Sequence, residues 1–185
     1  MRLLIKELFI PITDFYRISK RNEKFKNYIL PLIIGLIYII GTYFIKAMPE
    51  FNIRNFGNDF INTTITVITL LITFSMAYLT ILVTGDNSNI KDLKSTVSER
   101  KIKNKQIVLY QVMLINISYT TVVEIAFLVI IFFQKFLLQV VSKNFIHIIL
   151  MIDLMVLTHI LLLLLQIIIN IYFSFWKVDL KITRD

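Results

Sequence analysis

The chain has 185 residues, 57% of them hydrophobic and 17% charged, with a formal net charge of +8 and no cysteine. Soluble globular domains carry about 25% charged residues and disordered chains are poor in apolar ones, so both classes are excluded. The missing cysteines exclude a disulfide framework and thiolate metal sites, and three prolines with four glycines leave no room for a flexible linker or a glycine-rich phosphate loop.

Residues 1–27 read as a cytoplasmic or interfacial amphipathic segment. Lys6 and Glu7 interrupt the first apolar run and no small-residue cleavage pattern follows, so the segment is expected to be retained rather than removed as a signal peptide. Leu4, Leu8, Ile12 and Phe15 recur at helical spacing, which places a helix either in the headgroup plane or against a partner or the bundle. Pro11 is expected to kink or break it. Asn27 reads as the cap of the first span, with Pro31 in the first turn where a missing donor is tolerated.

Four apolar stretches follow. Residues 28–45 and 60–84 carry no charge, 106–134 carry Glu124 alone, and 144–176 carry Asp153 alone. A helix rising about 1.5 Å per residue needs roughly 20 residues to cross a hydrocarbon core about 30 Å thick. The stretches therefore read as spans of about 28–45, 61–83, 107–133 and 145–173. Strands would need a closed barrel with alternating polarity, which is absent. The fold class is all-α, a four-transmembrane-helix bundle over 28–176 with a tail at 177–185.

Lysine and arginine number 7, 2, 6, 2 and 3 in the five segments outside these stretches. The bias places both termini and the middle loop on the cytoplasmic side of the cell membrane. It also accounts for most of the basic excess without nucleic acid. In that loop, residues 85–105, Gly85 ends the second span, and Ile90, Leu93 and Val97 indicate a short amphipathic helix with Asn89 as its cap. Arg100, Lys101, Lys103 and Lys105 follow. They serve as stop-transfer and orientation charges, attract anionic lipid headgroups at about 1 kcal/mol each, or dock a cytosolic protein.

Polar residues inside the spans form two groups. Asn62, Thr66, Thr69, Thr73, Met76, Thr80 and Thr84 are spaced 4, 3, 4, 3, 4 and 4, a stripe about 80° wide on one helix face. Small hydroxyl-bearing faces point at other helices in lipid, here for packing or for lining a pore between subunits. The ionisable group is Glu124, Asp153 and His159, with Gln166 and Asn170 on the His159 face. With spans three and four centred on residues 120 and 159, the two carboxyls lie about 6 and about 9 Å outward of the midplane, at nearly one depth. Such acids mark a proton or cation pathway, or simply bond two helices together. Phe132, Phe133 and Phe136, and Tyr172, Phe173, Phe175 and Trp176, sit where interfacial rings belong.

No GxSxG, HExxH or Walker pattern is present, and no enzyme activity, metal or cofactor is expected. Two functions remain. One is a non-catalytic, oligomerising membrane subunit that acts as anchor, sensor or regulator by docking a cytosolic partner. The other is a small oligomeric ion or proton channel or permeabilising effector using the acids or the threonine stripe. Abundant Ile, Asn, Lys and Phe fit an AT-rich bacterial or phage genome. The compact four-span look is similar to that of bacteriocin-immunity proteins and of membrane components of phage-defence systems, a likeness of architecture that carries no residue across.

Overall fold

The computed structural model describes residues 7, 9–45, 52–86 and 88–182, with side chains described throughout except at 43, 45 and 173–182. In chain order the elements are α1 (Ile10–Ile18), α2 (Arg21–Ile45), α3 (Ile53–Thr84), α4 (Ser88–Ser95), β1 (Val97–Ile102), β2 (Lys105–Val108), α5 (Leu109–Val140) and α6 (Lys143–Ile182). Apart from this one hairpin the chain is helical, an all-α four-span membrane bundle with α2, α3, α5 and α6 each long and apolar enough to cross. Only 17–28% of the most apolar window in each span is buried, so most of the apolar side chains face outward. Phe133, Phe136 and Val140 are 66, 70 and 86% exposed, an arrangement that hydrocarbon accepts and water does not.

Residue contacts divide the chain into two units. One comprises Asn22–Ile72 and Val123–Leu162. Within it α2 and α6 run antiparallel. Asn27 meets His159, Gly35 meets Met151 and Met155, and Tyr38 meets His147. The buried positions of α2, Asn27, Pro31, Gly35 and Thr42, recur every four or seven residues, so one stripe of this helix faces the interior. Gly35 lets the helices approach closely, because a Cβ there would lie 2.8 Å from the Met155 side chain. Helices α3 and α5 are also antiparallel: Arg54 donates to the carbonyls of Gln139 and Val141, and Lys135 donates to the Asn62 amide oxygen. Arg54 thereby satisfies carbonyls at the end of α5, while Asn52 accepts from the first amides of α3.

The other unit comprises Met1–Arg21, Thr73–Val122 and Leu163–Asp185. Its centre is a cluster of Leu82, Leu93, Met113, Ile117 and Ile167, beside a smaller one of Ile18, Ile107 and Val112. Phe15 of α1 stacks on Tyr119 of α5, with centroids 3.9 Å apart and planes at 7°, so α1 packs on the bundle. Leu4 and Leu8 lie outside the described residues. Pro11 is in the first turn of α1 and starts the helix instead of kinking it, because no donor is needed there.

Three other local expectations are corrected. The first concerns α2, which begins at Arg21, so Asn27 is no cap and Pro31 lies ten residues inside the helix. The loop helix begins at Ser88, making Asn89 its second residue, and Val97 belongs to a strand and is 59% exposed. Finally, residues 97–108 are no plain charged loop. They form an antiparallel hairpin turned by Lys103 and Asn104 at φ 48° and 66°, the left-handed pair that a two-residue hairpin turn requires. Gln111 accepts from the Val108 amide and closes the start of α5.

Candidate functional site

Three polar constellations emerge. The first lies in the unit built from Asn22–Ile72 and Val123–Leu162, where Glu124 and Asp153 are both 0% exposed. The Gln134 side chain stands beside Asp153, yet neither Asp153 oxygen has a hydrogen bond of good geometry among the described residues. Gln134 is ten residues beyond Glu124, about 15 Å of helical rise. The two acids are therefore not level. The short turn at 141–142 sets the register of α5 against α6, whereas the centres of the hydropathy windows do not.

His159 belongs to a different set of contacts. Its Nδ1–H donates to the Asn27 carbonyl at 2.9 Å, and its ring stacks on Tyr28 at 5.7 Å between centroids. Pro31 explains this bond. A helical carbonyl accepts from the amide four residues on, and proline has none to give. The imidazole supplies the missing donor from α6. Gln166 is half-buried, and Asn170 lines a cavity in the other unit.

The threonine stripe of α3 is the second constellation, and it faces the other way from what packing within the chain requires. Asn62, Thr66, Thr69, Thr73, Thr80 and Thr84 are all exposed, while Ile61, Thr64, Ile68, Ser75 and Leu82 form the buried face. Thr66, Thr69, Thr80 and Thr84 each donate to the carbonyl four residues earlier, at 2.8–3.1 Å. Their hydroxyls are satisfied without a second helix.

The third is the folded module of α1, α4 and the hairpin. A register shift in β1 between Val97 and Lys101 is a bulge, and the Arg100 amide donates to Ser98 Oγ across it. The Arg100 guanidinium donates to the Ile18 carbonyl at 3.1 Å, and Lys20 pairs with Glu99 at 2.9 Å. Lys101, Lys103 and Lys105 are exposed, and no ion pair joins them to another described residue. Here Arg100 parts from the three lysines with which it clusters in sequence, because side chains alternate along β1 and Arg100 falls on the inward face.

Sequence reasoning missed Gln134, Lys20, the half-buried Tyr78 and the buried Asn116, the last two with a buried hydroxyl and amide that lack partners among the described residues. Antiparallel register through the 141–142 turn was the available signal for Gln134. For the hairpin it was Asn104, a residue type that tolerates the left-handed backbone of a tight turn. Among the described residues no three His, Asp or Glu converge as metal ligands. The chain matches no family model, no curated protein and no solved structure.

Proposed function

We propose that the protein is a non-catalytic subunit of the cell membrane, with both termini cytoplasmic, that oligomerises and docks an acidic cytosolic partner on its basic hairpin. The observation that carries this reading is the ordered module itself. Ile90, Leu93 and Ile107 are buried, Leu93 and Ile107 in clusters shared with α1 and the span helices, so the segment between the second and third spans is packed in place and presents Lys101, Lys103 and Lys105 on a fixed hairpin. A loop needed only for orientation requires the charges and no fold. The exposed threonine face of α3 offers a surface for a second copy, since polar side chains in lipid favour protein neighbours.

The test is site-specific photo-crosslinking in cells from position 103, with position 142 in the opposite loop as control. A discrete adduct at 103 that disappears when Lys101 and Lys105 become Glu supports docking. Equal adducts at both positions, or none, end it.

The outward stripe also favours a second reading, in which several copies turn Thr66–Thr84 toward a shared aqueous axis. Ion flux in proteoliposomes decides this. Flux that falls on Thr69→Val and Thr73→Val supports a channel, and vesicles that stay tight with the native chain rule it out.

A further inference from the structure

The hairpin borders an open cavity of about 320 Å³ that none of the roles above uses. Its polar lining comes from Lys20, Thr96, Ser98, Glu99, Arg100 and Asn170, and its apolar lining from Leu109, Val112 and Met113 at the start of α5. We infer that this cavity binds a phosphate ester, with the headgroup of an anionic phospholipid as its source.

The backbone builds the site. Along β1 Ser98 is buried and Arg100 half-buried while Val97, Glu99 and Lys101 are exposed, the alternation of a regular strand, so Ser98 and Arg100 share the inward face and Glu99 lines the cavity from its exposed side. Two of the lining residues are cations and one is an anion, a net attraction for negative charge. Arg100 is oriented in advance by the Ile18 carbonyl, and its planar fork suits phosphate oxygens. Ser98 Oγ accepts from the Arg100 amide, which leaves its hydroxyl proton directed elsewhere to donate. Glu99 is the internal competitor. Its pair with Lys20 is 58 and 86% exposed on the two side chains, and exposed pairs are weak, so a phosphate can take its place on Lys20.

The apolar lining selects the source. Leu109 is the first residue of the third span and Val112 and Met113 are buried within its first two turns, so the cavity adjoins the end of a membrane helix. An amphiphile fills both linings, and a free phosphate fills only the polar one. This inference stands apart from the docking reading, because it needs no protein partner.

The experiment uses the full chain in nanodiscs of phosphatidylcholine alone or with increasing phosphatidylglycerol, read by thermal unfolding. Inorganic phosphate and glycerol phosphate are added separately to the phosphatidylcholine discs. Stabilisation by phosphatidylglycerol is expected to saturate, with apparent affinity falling tenfold or more in Lys20→Gln and Arg100→Gln, rising a few-fold in Glu99→Gln, and changing less than twofold in Lys103→Gln. The Lys20 side chain is 58% exposed and Lys20→Gln leaves the bond from Arg100 to Ile18 in place, so it separates lost binding from lost folding where Arg100→Gln unfolds. Equal losses in Lys20→Gln and Lys103→Gln mean diffuse surface charge and overturn the site. Stabilisation by soluble phosphate in neutral discs assigns the cavity to a free phosphate ester and overturns the lipid source. No response to either ligand overturns the inference altogether.

Discussion

His159 on the fourth span donates to the Asn27 carbonyl on the first, at 2.9 Å, in the place where Pro31 withholds the helical amide. A buried carbonyl without a donor costs about 1–3 kcal/mol, and this bond removes that cost. His159→Phe keeps the ring against Tyr28 and loses the donor, so it is expected to destabilise by about 1–3 kcal/mol. In a Pro31→Ala background the restored amide satisfies the same carbonyl, and the second substitution is expected to cost less. A double-mutant cycle read by unfolding in detergent checks this; additive effects would sink the assignment.

The two glycines Gly41 and Gly85 are expected to respond with opposite signs to replacement by alanine. Nothing lies within 4 Å of a Cβ at Gly41, so Gly41→Ala gains about 0.5–1 kcal/mol from helix propensity alone. At Gly85 a Cβ would lie 2.2 Å from Ile90 Cδ1 and 2.6 Å from the Ile81 carbonyl oxygen. Ile90 is buried and the carbonyl is backbone, so Gly85→Ala is expected to cost about 1–3 kcal/mol. Thermal unfolding of both variants tests the pair.

Asp153 keeps both carboxyl oxygens without a well-formed hydrogen bond at zero exposure. Asp153→Asn preserves shape and cannot ionise, and is expected to raise stability by about 1–3 kcal/mol. A loss of similar size, measured by the same unfolding assay, would show that the carboxyl holds a structural bond that the amide cannot replace.

The exposed threonines bond to their own helix, so replacing them should leave the single chain intact. Thr66→Leu, Thr69→Leu and Thr80→Leu together are expected to lower the oligomeric mass in native mass spectrometry with an unchanged unfolding midpoint. An unaltered mass would remove α3 from any subunit interface.

The all-α class and the four apolar spans were legible in the sequence, because a bilayer imposes length and apolarity on every crossing segment regardless of its neighbours. The periodicity of Asn62–Thr84 likewise identified one helix face from spacing alone. Which way that face points, why Pro31 is tolerated deep in a helix, and which residue meets Asp153 were decided only in the tertiary structure. Each depends on the partner helix and its register, and for Asp153 a two-residue turn at 141–142 fixes the register of α5 against α6 to a degree that the ends of an apolar window cannot. The hairpin escaped for a related reason: its strands are short and charged, and their pairing depends on a bulge and a left-handed turn rather than on a hydrophobic period.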